Sequence, residues 1–196
     1  MTRSRELALG LLFSLIPAVG CAAPRTPAEE PNPPTKSRAA QAQAPLRAKL
    51  EEMLDRSAPA AEWKTVGADG VAALEQIFND PAVQPERRAR ALLALAATGL
   101  PEAVAKVAEV VKDTGVDARY RAQAAAALAR HGGEDVGPTL KVGLGSPDPK
   151  VREAVARALS GVGGAQVRAA LEERLAEEED ASVREVIQQT LTRLEP

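Results

Sequence analysis

From residue 45 to the C-terminus, apolar positions recur at three- and four-residue spacing in short blocks punctuated by Pro, Asp and Gly. The clearest block runs from Asp148 to Gly164. Val151, Ala154, Val155, Ala158, Leu159 and Val162 form one apolar stripe at helical period. Asp148 is placed to cap the first free N–H groups, and Pro149 fits the first helical position. Gly163 and Gly164 supply the left-handed conformation that ends a helix.

The same pattern returns from Gln84 to Gly99, from Asp117 to Gly133 and from Asp180 to Leu194. An Arg falls at 88, 121, 152 and 184, with gaps of 33, 31 and 32 residues, and a Leu falls at 95, 128, 159 and 191 with the same gaps. Two registers in step over four copies mark an internal repeat. A second amphipathic segment precedes each copy: 71–78, 101–112, 136–144 and 167–175. Turns such as Asn79-Asp80-Pro81 and Gly145-Ser146-Pro147 separate the two. The unit is therefore helix, turn, helix, turn. Each pair has more apolar surface than it can hide alone, so neighbours must stack. Residues 45–67 read as a partial first unit, with Leu46, Leu50, Met53 and Leu54 in one stripe, a short second helix over 59–66, and Gly67 in register with Gly99. The last unit reads as a cap kept soluble by Glu172, Glu173, Glu177, Glu178, Glu179 and Asp180.

The series Asp148, Pro149, Val151, Arg152, Ala154 and Leu159 resembles the repeat signature of the HEAT-repeat family, nearest its phycobilisome-lyase-like branch. Asp180, Val183, Arg184 and Leu191 repeat it, and Asp117, Arg121 and Leu128 keep its skeleton, whereas the first copy has Gln84 and Arg87 at the Asp and Val places. The resemblance covers roughly residues 45–195. It implies an all-α fold, an α-solenoid of about four to five helix pairs wound as a right-handed superhelix, and a scaffold or binding surface more often than an enzyme. The Trp and Tyr places of a tetratricopeptide unit are not filled.

The first 44 residues follow another pattern. Arg3 and Arg5 precede an apolar run from Leu7 to Ile16, which has signal-peptide length and is too short to span a bilayer. Pro17 breaks it, and Ala18-Val19-Gly20 lead to Cys21, the single Cys of the chain. This junction resembles a bacterial lipoprotein lipobox, with Ala18 where that family usually has Leu. The resemblance implies cleavage before Cys21 and fatty acylation of Cys21; the alternative is an ordinary secretory signal cut near Ala23. Residues 22–44, with five prolines by Pro34, read as a disordered, semi-extended spacer. The expected organisation is a signal peptide at 1–20, a lipidated Cys and Pro/Ala-rich tether at 21–44, and the solenoid at 45–196.

Composition narrows the chemistry. Aromatics are 2% of the chain, which suits closely packed helices and not a sheet. A formal charge of −2 offers no global basic field for nucleic acid. One Cys and one His leave no multi-Cys or multi-His metal site, and no cofactor is expected. The Arg row invites a basic-track reading. The structural alternative is a ladder in which Asp117, Asp148 and Asp180 cap helices and pair with Arg121, Arg152 and Arg184, and that is the reading taken here. His131 belongs at a helix end and has no catalytic partner. The acidic run 172–180 lacks a Ca²⁺-loop pattern and reads as a solvated face. Trp63, Phe78 and Tyr120 fall on core stripes.

Arg90, Leu93, Arg130, Arg157, Gln188, Gln189 and Arg193 project away from the stripe on second helices, which line the inner curve of such a stack. They are the expected partner-binding positions. The functional expectation is a non-catalytic, lipid-anchored scaffold or adaptor docking a protein of the bacterial envelope. Ala22, being other than Asp, implies the outer membrane by the lipoprotein resemblance. The alternatives are an accessory subunit of a lyase-type or other enzyme, or a spacer without a specific ligand.

Overall fold

The structure, a computed structural model, describes residues 36–131 and 136–194, with side chains from residue 44 on. The described residues form ten helices: α1 (Lys36–Asp55), α2 (Ala60–Trp63), α3 (Ala68–Asn79), α4 (Pro85–Thr98), α5 (Pro101–Lys112), α6 (Ala118–His131), α7 (Gly137–Leu144), α8 (Pro149–Leu159), α9 (Ala165–Glu177) and α10 (Ala181–Arg193). They pair as α3 with α4, α5 with α6, α7 with α8 and α9 with α10. The second helices pack on one another in succession, α2 on α4, α4 on α6, α6 on α8, and α8 on α10. The fold is an all-α solenoid, with α1 and α2 as an abbreviated opening pair.

Local chemistry explains the boundaries. The Asp148 carboxylate accepts from Lys150 N at the start of α8, and the Asp180 carboxylate accepts from Ser182 N and Val183 N at the start of α10. Each satisfies N–H groups that have no partner inside the helix. Pro85, Pro101 and Pro149 open α4, α5 and α8, where a missing N–H costs nothing. Gly99, at φ +71, closes α4 in the left-handed conformation. Gly163, at φ +70, reverses the chain after α8, its N–H donating to Leu159 O over 3.1 Å.

The aligned leucines occupy equivalent places. Leu95, Leu128 and Leu159 are fully buried in α4, α6 and α8. Leu191 is half-buried, and among the described residues no further helix packs on α10. Alanine dominates the second layer: Ala91, Ala94, Ala96, Ala124, Ala125, Ala127 and Ala156 are buried. Small side chains let successive helices approach closely, and good helix propensity keeps them helical without outside help. Close approach is also required at Gly143 in α7, where a Cβ would lie 2.7 Å from a Val155 methyl.

Two expected boundaries shift. Helix α1 begins at Lys36 and continues through Pro45, so the expected tether over 21–44 overlaps its first nine residues. The prolines of the spacer stop at Pro34, and the Ala/Gln stretch that follows has good helix propensity. The second correction concerns Gly67. It does not end a helix as Gly99 does; it stands at φ −86 as the residue before α3. Cys21 and the signal sequence lie outside the described residues.

Truncating Leu128 to Ala should cost about 2–5 kcal/mol in urea unfolding followed by circular dichroism, and Leu191→Ala clearly less. Equal losses would contradict the stacking of equivalent layers.

Candidate functional site

The regular arginines do not pair with the regular aspartates. Each instead donates to carbonyls at the C-terminal end of the first helix of its own pair. Arg88 Nε donates to Phe78 O over 2.6 Å at the end of α3, and Arg121 Nε to Val111 O over 3.2 Å at the end of α5. Arg152 Nη1 donates to Ser146 O over 2.8 Å just past α7, and Arg184 Nη1 to Leu175 O and Glu178 O at the end of α9. The last carbonyls of a helix lack internal partners and carry its negative dipole end, so a guanidinium satisfies both. Asp117, Asp148 and Asp180 keep the capping half of the expected ladder. Asp117 accepts from Arg119 N, and that bond, with the Arg119 guanidinium beside it, holds its carboxyl below the usual carboxylate range. The Asp–Arg pairing half is corrected. An arginine on the second helix of a pair points back across the turn to the first, whereas the capping carboxylate is spent on the backbone at its own helix start.

Arg152 has a second role. Its Nε and Nη2 donate to the Glu178 carboxylate over 2.7 and 2.8 Å, and Arg174 Nε adds a third bond at 2.9 Å. Asp180 N donates to the same carboxylate over 2.9 Å. The Glu178 side chain is 0% exposed. It is thus removed from the solvated acidic face on which the sequence placed it, and it ties the last pair to the one before. Arg152, then the Asp180 N–H and Arg174, hold its carboxyl well below 4.5, down to about 2, against the opposing effect of burial.

A second junction lies between the α3–α4 and α5–α6 pairs. Phe78 and Tyr120 meet edge to face with centroids 5.5 Å apart, and the Arg88 guanidinium lies 4.8 Å from the Tyr120 centroid. Both rings are buried, as is Trp63, whose Nε1 donates to Ala58 O over 3.0 Å. These contacts place Trp63, Phe78 and Tyr120 in the packing of the stack.

Arg90, Arg130, Arg157, Gln188, Gln189 and Arg193 are exposed and Leu93 is half-buried. Arg157 pairs with Glu153 and Gln189 donates to Glu185, each one helical turn away. The structure brings Arg90, Leu93 and Arg130 together around one groove of about 160 Å³, and leaves the other four apart on α8 and α10. Sequence reasoning did not connect Trp63 or His131 with these three, although both line the groove. The signal was present in the brevity of the expected second helix over 59–66. His131 is the last residue of α6. Burial, together with the charges of Arg130 and Lys64, holds its imidazole below the usual range. Among the described residues no cluster of three His, Cys, Asp or Glu side chains could hold a metal ion.

The buried carboxylate yields a pH signature. Because Glu178 titrates lower in the fold than in the unfolded chain, its contribution is complete above about pH 5 and disappears as pH falls toward 2. The loss over that window should be roughly 3 kcal/mol. Urea unfolding at a series of pH values should show Glu178→Gln less stable at neutral pH and flatter on acidification. Parallel pH profiles for the two chains would contradict this.

Residues 114–192, from just before α6 to near the end of α10, match the model of a family described as HEAT repeats. The chain matches no curated protein. Repeats of this kind commonly mediate protein binding, and the match supports a HEAT-repeat domain over these residues, with α1 to α5 extending the same helix-pair plan toward the N-terminus.

Proposed function

We propose that the chain is a lipid-anchored, non-catalytic scaffold of the bacterial envelope, tethered through Cys21, that docks a partner protein on the outward face of its second-layer helices. The observation that carries this reading is a division of charge between the two layers. Arg90, Arg119, Arg130, Lys150, Arg157, Arg184 and Arg193 are exposed on α4, α6, α8 and α10, against the exposed Glu86 and Glu185. On α3, α5 and α9 the exposed charges are Asp69, Glu102, Glu109, Glu172, Glu173 and Glu177, with Lys112 the exposed cation. The near-neutral total thus hides a basic face and an acidic one, and such a face favours an acidic partner by steering and by register more than by raw affinity. Stacked repeats present an extended surface of this type.

A photo-crosslinking side chain in place of Arg157 should capture a discrete envelope protein from native membranes, and one in place of the outer-layer Ala105 should not. Diffuse, equal labelling at both positions would overturn the docking face and favour a spacer. The same membrane-extracted material should have the mass of a chain that starts at Cys21 and carries acyl groups; an unmodified Cys21 would remove the anchor.

A further inference from the structure

The groove on α4 exists because one helix is short. The second-layer helices α4, α6, α8 and α10 run 11–14 residues, whereas α2 is a single turn of 4. Full-length neighbours cover the flank of each second helix along its length. Here the later turns of α4 have no such cover, and Leu93, Ala94 and Ala97 line an open hollow instead. Leu54 and the Trp63 ring complete its apolar floor. At about 160 Å³ the hollow matches a cavity of about 150 Å³ known to accommodate benzene, so one phenyl- or leucyl-sized group fills it.

Its lining is chemically one-sided. Arg90, Arg130, His131 and Ser57 contribute polar groups, and among the described residues no carboxylate lines it. Arg90 Nη1 donates to Leu54 O over 3.2 Å, which fixes the guanidinium at the wall. Lys64 is close enough to act on His131, so its charge adds to that of Arg90 and Arg130. An apolar floor beneath a basic wall is complementary to an acidic chain that carries one apolar anchor.

We propose that this groove takes an acidic peptide segment of a partner protein, one Phe- or Leu-sized side chain seated on Trp63 and Leu93 and flanking carboxylates on Arg90 and Arg130. This deepens the reading of the second-layer face as the docking surface and rests on it. The anchor replaces, in part, the missing turns of α2. The partner's carboxylates meet the positive charge of Arg90 and Arg130.

Trp63 is the single Trp of the chain, so its fluorescence reports the groove without ambiguity. The full mature chain is titrated with acetyl-Glu-Glu-Phe-Glu-Glu-amide, with the Gln-for-Glu and the Ala-for-Phe versions of that peptide, and with dodecanoate. Saturable quenching or enhancement is expected with the first peptide, and about tenfold weaker binding with each altered peptide. Arg130→Gln should weaken the first peptide and leave thermal melting unchanged, and Arg90→Gln should weaken it as well. Equal binding of all three peptides, absence of binding, or indifference to both substitutions overturns the proposal, and preferential binding of dodecanoate overturns it in favour of a lipid ligand. Discrete capture at position 157 with a silent Trp63 would leave the docking face standing and remove this groove from it.

Discussion

The carbonyls that end each first-layer helix have no partner within that helix, and the stack is arranged around supplying one. Arg88, Arg121, Arg152 and Arg184 each reach back from the second helix of a pair to the end of the first. The bond fixes the angle at which the two helices meet, because a guanidinium has a rigid fork of donors. It also explains why the arginines tolerate burial. Arg121 is only 4% exposed, yet no buried side-chain nitrogen or oxygen among the described residues lacks a hydrogen-bond partner. Once the pair is closed in this way, its remaining apolar stripe faces the next pair, and Ala and Leu decide how near that pair can come.

Junctions between pairs are not uniform. At one end, Arg87 reaches the Asp55 carboxylate through two bonds and Arg47 reaches Asp80. Near the middle, Arg88 sits over Tyr120. At the other end, Arg152 and Arg174 hold the buried Glu178. Exposed pairs contribute little each, whereas a buried one is costly to break because the surviving charge is left without solvent. The α9–α10 pair is thus held by the most buried ion cluster among the described residues.

The repeat was legible because helical period, capping Asp and Leu register all depend on residue type at fixed spacing. The helix over 101–112 could be read to the residue, and so could the start of α8 at Pro149; α8 ends at Leu159, before the expected stop at Gly163 and Gly164. The partners of the arginines could not. Every residue carries a carbonyl, so no sequence signal distinguishes the one at a helix end, and the nearest opposite charge seemed the natural acceptor. Glu178 was lost among its acidic neighbours for a related reason: its burial is set by where Arg152 of the preceding pair arrives, and not by its own segment. The start of α1 was obscured by spacer composition, which averaged the prolines up to Pro34 with the helix-forming Ala/Gln stretch beyond. The groove beside α4 is the consequence of a helix that ends early, and an unfilled volume leaves no mark on the residues that border it.

Excision of one whole period is the most direct test of a stack built from closed, interdependent pairs. Removing Asp117 to Pro147, the 31 residues between two equivalent aspartates, joins α5 to α8 in register and lets Arg152 meet the end of α5. Circular dichroism during thermal unfolding should then show the helicity per residue of the parent and a single cooperative transition. A shortened chain that has lost its helicity, or that melts without cooperativity while the parent does not, would contradict the account.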